Sequence, residues 1–260
     1  MMPSSRLSRR LWLGLACVGL AMVLMPVSVS HGVQATQPSP PCARSAGQAA
    51  GLAYRMSEFG RCQQDAQLPL VISLHGMGDR PRELFSEVPV PVRIVAPRAP
   101  KPYGTGFSWF SHRSQEVPGH VLAPEIRDTA DRMAKFIVEM QKRYPTAGRP
   151  VITGVSQGGM ISFAVALHHP EAVGEAFPVA GWLPEELWTK RRHERAASTF
   201  AMHGELDKVV PLAGTAQMVQ MLASRGHPVE LETYADAGHH MTPAMHARRY
   251  LQLMRVLRNK

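Results

Sequence analysis

A glycine-flanked serine separates two stretches of different character. Before it, Pro150-Val151-Ile152-Thr153 is a short β-branched run that predicts a buried strand. Then follows Gly154-Val155-Ser156-Gln157-Gly158, and after it residues 159–170 form an apolar, helix-like run that proline ends. Side chains larger than glycine at positions 154 and 158 would collide with neighbouring backbone in so tight a turn. A strand, Gly-x-Ser-x-Gly and a helix, in that order, is the context that a nucleophile elbow needs.

Strand-like and helix-like segments alternate along the rest of the chain. The clearest helix covers residues 125–144, where Ile126, Met133, Ile137 and Met140 recur at helical spacing. Further strands are predicted at residues 52–56, 68–74, 92–96, 175–181, 198–204 and 229–234, and further helices at 211–224 and 243–257. The alternation, without an internal repeat, predicts an α/β fold with a mostly parallel central sheet and helices on both faces.

Length and composition predict one folded domain behind a short N-terminal extension. The chain has 260 residues, of which 45% are hydrophobic, which is enough for one large core. We predict a signal peptide at residues 1–35, a linker or N-terminal arm rich in Pro, Ser, Ala and Gly at 36–50, and the α/β domain at 51–260.

The first 35 residues have the composition of an export signal. They contain three arginines and no acid, and residues 11–25 are apolar. Small residues around Ala35 predict cleavage after that residue and a periplasmic or secreted protein without a stable membrane anchor. An uncleaved anchor is the alternative, although the apolar run is shorter than the ~20 residues that usually span a bilayer. The segment 8–13 also resembles a twin-arginine signal, which exports folded proteins.

The charge distribution argues against a nucleic-acid partner. The formal charge is +9, and removing the three arginines of the signal leaves +6. The basic residues are scattered rather than interleaved with aromatic residues in one patch, so no nucleic-acid role is expected. The cluster near the C-terminus is expected on the solvated side of the last helix (Arg248, Arg249, Arg255, Arg258 and Lys260).

Cysteine use fits an exported protein. Cys17 lies in the signal segment, which leaves Cys42 and Cys62. Two cysteines in an exported chain predict a disulfide bond that holds the N-terminal arm, and two independent thiols are the alternative.

Three residue types suited to nucleophilic catalysis follow predicted strands. Ser156, Asp207 and His239 each lie on a loop after a strand, and the carboxyl ends of parallel strands meet at one edge of the sheet. A serine hydroxyl needs a base within hydrogen-bond reach, and the base needs an orienting carboxylate. We assign Ser156 as nucleophile, His239 as general base and acid, and Asp207 as the orienting acid. Glu205 is the alternative acid and His240 the alternative base.

The negative charge that develops on an attacked carbonyl needs backbone donors. The N–H of Gln157 follows the nucleophile at the start of a helix, and the N–H of Met77 lies on a glycine-flanked loop after the strand at 68–74. We assign these two groups to the oxyanion hole. His75 is predicted to shape that loop rather than to carry a proton.

The aromatic residues Trp109, Phe110 and Trp182 are candidates for the wall of an acyl pocket, with plain core packing as the alternative. None of the twelve histidines belongs to a cluster with metal-ligand spacing, so neither a metal nor another cofactor is expected.

The chain contains the motifs Leu74-His75-Gly76-Met77-Gly78-Asp79, Ala96-Pro97-Arg98-Ala99-Pro100, Ser108-Trp109-Phe110, Gly154-Val155-Ser156-Gln157-Gly158-Gly159-Met160, His203-Gly204-Glu205-Leu206-Asp207-Lys208-Val209-Val210-Pro211 and Gly238-His239. Together they resemble the carboxylesterase, phospholipase and acyl-protein thioesterase branch of the α/β-hydrolases. The resemblance implies the α/β-hydrolase fold, the same triad and oxyanion donors, and hydrolysis of ester or thioester bonds of small or lipid-like acyl compounds without a cofactor.

The sequence therefore predicts an exported serine hydrolase that cleaves carboxylic ester or thioester bonds through an acyl-enzyme intermediate. Acyl transfer to an acceptor other than water would use the same residues. A non-catalytic α/β-hydrolase-like binding protein is the alternative from another class, although such proteins usually lose a triad member. The charged insert at residues 182–197 has no assigned role, and the oligomeric state stays open.

Overall fold

An eight-stranded sheet forms the centre of the computed structural model, which describes residues 38–60, 66–189 and 193–260. The strands in chain order are β1 (Ala43–Ala49), β2 (Leu52–Phe59), β3 (Leu70–Leu74), β4 (Val92–Pro97), β5 (Lys101–Tyr103), β6 (Gly106–Ser108), β7 (Val151–Val155), β8 (Glu175–Val179), β9 (Ser198–Gly204) and β10 (Val229–Tyr234). The central sheet has the order β1-β2-β4-β3-β7-β8-β9-β10, and β5 and β6 form a separate hairpin.

The predicted parallel sheet is confirmed for strands β3, β4 and β7 to β10. Each of these strands runs parallel to its neighbours among them, with Leu74 of β3 opposite Gly154 of β7 and Val155 of β7 opposite Val179 of β8. Strands β1 and β2 add an antiparallel edge next to β4. The carboxyl ends of β7, β9 and β10 therefore lie at the same edge of the sheet.

Four α-helices of the described residues cover both faces of the sheet, as predicted. They are α1 (Gly119–Arg143), α2 (Gln157–His168), α3 (Leu212–Ser224) and α4 (Pro243–Leu257). Side chains of α1, α2 and α3 share one core cluster with Ile72 of β3, whereas Leu253 and Met254 of α4 pack in another cluster with Val71. Successive residues of a strand point to opposite faces, so α4 lies on the face opposite the other three helices. Within the described ranges, no helix has the length and hydropathy needed to cross a membrane.

The edge strand β1 corrects the prediction of a linker or loose arm before residue 51. Residues 43–49 pair with β2 along their whole length, and most of their side chains are exposed. An edge strand is stabilised by backbone pairing with one neighbour, and the mixture of alanine, glycine and polar residues in this segment gives no apolar alternation. The folded domain therefore includes this part of the predicted arm.

Two predictions concern residues outside the described ranges. The signal peptide at residues 1–35 lies there entirely, and so does Cys62. The other predicted partner of the disulfide, Cys42, is disulfide-bonded in the structure.

Arg249 corrects the expectation of a solvated basic cluster on the last helix. This side chain is only 5% exposed. It lies four residues after Met245 and four before Leu253, both of which are buried. Residues four apart share one face of a helix, so the arginine lies on the face of α4 that packs against the sheet.

Candidate active site

The strand-to-helix turn at Ser156 is strained and held from both sides. Strand β7 ends at Val155 and helix α2 begins at Gln157, which leaves Ser156 with φ of 57° and ψ of −119°. This backbone conformation is costly for a residue with a side chain and persists only where its surroundings enforce it. Here the N–H of Ser156 donates to the carbonyl of Val179 at 2.9 Å, and its own carbonyl accepts from the N–H of Met160 at 2.9 Å.

The two glycines of the motif are required by close backbone contacts. A Cβ atom at Gly154 would lie 2.4 Å from the carbonyl oxygen of Gly158. A Cβ at Gly158 would lie 2.6 Å from the carbonyl oxygen of Leu74. Both separations are far shorter than any van der Waals contact, so the steric reason predicted from the sequence holds in the structure.

The structure brings Ser156, His239 and Asp207 into one line of hydrogen bonds. Nε2 of His239 lies 3.0 Å from Oγ of Ser156, and Nδ1 of His239 lies 2.7 Å from Oδ2 of Asp207. A proton on Nδ1 lets the ring donate to the carboxylate and leaves the lone pair of Nε2 facing the hydroxyl. This neutral tautomer is the one that can accept a proton from serine.

The carboxylate of Asp207 is fixed by its backbone neighbours. Its side chain is completely buried, and Oδ1 accepts the N–H groups of Val209 at 2.9 Å and Val210 at 2.8 Å. Oδ2 is thereby left to accept from His239. The alternative acid, Glu205, is exposed and accepts from the hydroxyl of Thr233 at 2.7 Å.

Two further histidines lie near the hydrogen bonds that join Ser156, His239 and Asp207, and they differ in role. His240, the alternative base, is exposed, and the ring that meets Ser156 is that of His239. His203, which the sequence reasoning did not single out, is fully buried and donates from Nε2 to the carbonyl of Val210 at 2.8 Å. The same nitrogen lies 3.4 Å from Oδ2 of Asp207. Burial lowers the pKa of His203, so it stays neutral and braces the loop that carries the acid.

His75 holds the loop on which Met77 lies. Its Nδ1–H donates to the carbonyl of Gly76 at 2.7 Å, and its Nε2 accepts the N–H of Ala99 at 3.2 Å. Burial lowers the pKa of this imidazole, and both ring nitrogens are occupied in the neutral form. The geometry agrees with the predicted structural role of His75.

A single segment ties the two predicted oxyanion donors together. The backbone N–H of Trp109 donates to Oε1 of Gln157 at 2.9 Å, and its indole N–H donates to the carbonyl of His75 at 2.8 Å. The carbonyl of Phe107 accepts the N–H of Gly78 at 2.8 Å. The side chain of Gln157 therefore positions this segment, a role that sequence reasoning missed because its partners are more than 40 residues away.

Ser156 opens into two cavities. The first has a volume of about 370 Å³ and includes Ser156, Gln157 and Met77. Its apolar wall contains Phe110, one of the predicted pocket residues, together with Met77, Met160, Val209 and Val210. Trp109 is buried, and Trp182 is half-buried against the main core, so the structure favours core packing for both.

The second cavity lies on the side of His239, and polar groups make up more of its lining than in the first cavity. Its volume is about 640 Å³. It includes Ser156, Met77 and His239, and sequence reasoning did not anticipate its basic lining of Arg82, His240, His246 and Arg249. Arg82 comes from a segment far from the other three, which follow His239 closely in the chain, and no local pattern relates any of them to Ser156.

Comparison with known proteins shows which family the chain is similar to. The family model for phospholipase/carboxylesterase matches residues 58–253. A protein of rice (Oryza sativa subsp. japonica) described as a probable inactive carboxylesterase is 27% identical over 192 residues, which cover 65% of this chain and 77% of the relative.

Solved structures share the fold at low sequence identity. Esterase PE8 superposes with a TM-score of 0.64 at 19% identity and covers 85% of this chain and 99% of its own. Acyl-protein thioesterase 2 of maize (Zea mays) superposes with a TM-score of 0.60 at 19% identity and covers 83% and 99%. Since the family match spans well over half of the chain and esterases of known structure share its sheet, the protein belongs to the phospholipase/carboxylesterase family and has the α/β-hydrolase fold.

Proposed function

We propose that the protein is an exported serine hydrolase that cleaves carboxylic esters, and thioesters of similar shape, through an acyl-enzyme intermediate. The observation that carries the proposal is the line of hydrogen bonds from Asp207 through His239 to Ser156, with lengths of 2.7 and 3.0 Å. Membership of a family described as phospholipase/carboxylesterase supports the reaction class. The export part of the proposal rests on the sequence of residues 1–35 alone.

In the first half of the reaction, the hydroxyl of Ser156 attacks the ester carbonyl while Nε2 of His239 takes its proton. The tetrahedral intermediate then collapses, and the imidazolium gives that proton to the departing alcohol. Asp207 stays ionised and stabilises the imidazolium through the 2.7 Å contact to Nδ1. The products of this half are the free alcohol and an acyl group on Ser156.

In the second half, His239 removes a proton from water as the water attacks the acyl-enzyme. The acid leaves, and the proton returns to Ser156. The backbone N–H groups of Met77 and Gln157 would stabilise the oxyanion in both halves, and the N-terminus of α2 adds its dipole at Gln157. The bracing of both loops by the segment 107–109 supports this role, because preorganised donors need no rearrangement during the reaction.

The substrate is proposed to be a small-molecule or lipid-like ester. The apolar wall of the first cavity suits an acyl chain, and its volume of about 370 Å³ is in the range of small-ligand sites. The structurally similar maize protein is an acyl-protein thioesterase, which supports including thioesters among the proposed substrates. Neither a metal nor another cofactor enters the proposed mechanism.

Active-site labelling tests this proposal. The purified protein is incubated with a fluorophosphonate probe, which modifies activated serines, and its hydrolysis of 4-nitrophenyl butyrate is measured. Ser156→Ala should abolish labelling and reduce kcat by about 10³-fold or more. The matched control is Ser224→Ala, since Ser224 is an exposed residue at the end of α3.

Two results would contradict the proposal. One is an absence of labelling and of hydrolysis in the wild-type protein, which would favour a non-catalytic binding protein. The other is undiminished labelling of the Ser156→Ala variant, which would place the reactive group elsewhere.

A further inference from the structure

Arg249 is a buried cation without a partner in the part of the chain that the structure describes. The residue is 5% exposed, and its Nε has neither solvent contact nor a hydrogen-bond acceptor. No carboxylate of the described residues lies within ion-pair distance of its guanidinium. Burying an unpaired charge costs several kcal/mol, roughly, so such a group is unusual unless something compensates it.

The two acids that line the same cavity are already occupied. Asp79 forms an ion pair with Arg82, and Glu83 forms one with Arg44 and accepts from the hydroxyl of Ser57 at 2.9 Å. Neither neutralises Arg249. These pairs leave the cavity with one uncompensated positive charge at its wall.

The charge of Arg249 is retained at neutral pH. Burial, together with the neighbouring Arg82, lowers the pKa of Arg249 to about 10, which is still well above 7. Burial and both arginines also lower the pKa of His246, so that imidazole is neutral and offers at most one N–H donor. The cavity wall thus combines the unpaired cation of Arg249 with the ion-paired Arg82 and Asp79 and the neutral imidazole of His246.

The same cavity reaches the reacting atoms. Its lining includes Ser156 and His239 as well as Arg249, whereas the more apolar first cavity includes Ser156 but not His239. In the proposed mechanism, His239 delivers its proton to the departing alcohol, so the alcohol part of the ester lies on the His239 side. The acyl part is then left with the apolar cavity.

We propose that Arg249 forms an anion subsite for the alcohol part of the substrate, and that the preferred substrate is an ester whose alcohol carries an anionic oxyacid group. This inference rests on the proposed function and names its substrate class. A carboxylate or a phosphate on the alcohol would neutralise the unpaired charge of the guanidinium, and Arg binds both groups in a bidentate manner. Hydrolysis would release a carboxylic acid with an apolar chain, together with a hydroxy acid or a phosphorylated alcohol.

A matched pair of chromogenic esters tests the subsite. The anionic substrate is 3-butyryloxy-4-nitrobenzoate and the neutral one is 3-butyryloxy-4-nitrobenzamide, which differ only in the charged group of the alcohol part. The wild-type enzyme should prefer the anionic ester by about tenfold or more in kcat/KM. Arg249→Gln should remove this preference, mainly through a higher KM for the anionic ester.

The control is Arg248→Gln, which removes a neighbouring, partly exposed arginine that pairs with Glu232 outside the cavity lining. This variant should keep the preference for the anionic ester. Inhibition of neutral-ester hydrolysis by benzoate and by phenyl phosphate distinguishes a carboxylate from a phosphate as the preferred group, since the better inhibitor identifies it.

Equal kcat/KM for the two esters in the wild type, or an unchanged preference in Arg249→Gln, would overturn the subsite. Thermal unfolding shows whether Arg249→Gln folds. If it does not, the preference of the wild-type enzyme and its inhibition by the two anions still decide the question. Failure of the proposed function would appear differently, as absent hydrolysis of both esters and absent labelling. In that case a rise in Tm with 10 mM benzoate or phenyl phosphate supports the anion site, and no rise overturns it.

Discussion

Replacing Asp207 by asparagine should reduce activity strongly while the fold is retained. Oδ1 of Asp207 accepts two backbone N–H groups, at 2.9 and 2.8 Å. The oxygen of an asparagine amide would keep this position, because the reverse orientation would lose both hydrogen bonds and leave the buried N–H donors unpaired at about 1–3 kcal/mol each. The NH₂ group must then face His239.

This orientation forces the wrong tautomer on His239. Facing an NH₂ donor, Nδ1 must accept, so the proton moves to Nε2 and the ring donates to Ser156 instead of accepting from it. An exchange of this kind lowers kcat by about 10⁴-fold, which is about 5.5 kcal/mol of transition-state stabilisation. The buried Nε2–H of His203, 3.4 Å from Oδ2, also loses a favourable neighbour.

The assay is kcat for 4-nitrophenyl butyrate at pH 7.5, with thermal unfolding to verify the fold. Glu205→Gln is the matched control, because Glu205 is an exposed acid on the same loop, and it should retain the wild-type rate. A rate for Asp207→Asn within tenfold of wild type would refute the reasoning. So would an equal loss in the Glu205→Gln variant.

Two further predictions concern stability. Gly158→Ala should destabilise the fold by about 3 kcal/mol or more, because its Cβ would lie 2.6 Å from the carbonyl oxygen of Leu74. Gly214→Ala in α3 should instead stabilise the fold by about 0.5–1 kcal/mol, because no atom lies within 4 Å of a Cβ at that position. Urea unfolding measures both, and equal effects would contradict the steric argument. Burial lowers the pKa of His168 to about 4 from an ordinary value near 6.5, so stability should be complete above pH 6.5 and decline as the pH falls toward 4. After allowance for the partial exposure of His168, we expect the free energy of unfolding to fall by about 1–2 kcal/mol over this pH range in the wild type but not in His168→Gln. If the free energies of unfolding of the two proteins fall in parallel with pH, this assignment is contradicted.

The local architecture around Ser156 was predictable from the sequence. Strand β7, the glycine-flanked turn and helix α2 follow from short-range sterics and periodicity, which act within a few residues. The order of Ser156, Asp207 and His239 along the chain also follows from local patterns, since each residue lies on a loop after a recognisable strand segment. A mostly parallel sheet then brings such strand ends to one edge, so their proximity was expected as well.

The edge strand β1 and the hydrogen bonds that Trp109 donates to Gln157 and His75 could not be predicted in this way. Residues 43–49 have no apolar alternation, and they form β1 only because β2 offers a free edge. The hydrogen bonds from Trp109 to Gln157 and to His75 join segments 48 and 34 residues apart. Their geometry depends on how the whole sheet and its loops pack.

The sequence by itself determined the fold class and the residues suited to nucleophilic catalysis, because periodicity, glycine at a tight turn and strand-end polar groups are short-range properties. Only the tertiary structure decided which histidine contacts Ser156 and which acid contacts that histidine. It also decided that Arg249 lies buried in the wall of the cavity on the His239 side. The physical reason is that these contacts join residues more than 30 positions apart, whose separation is set by packing of the complete core rather than by any local preference.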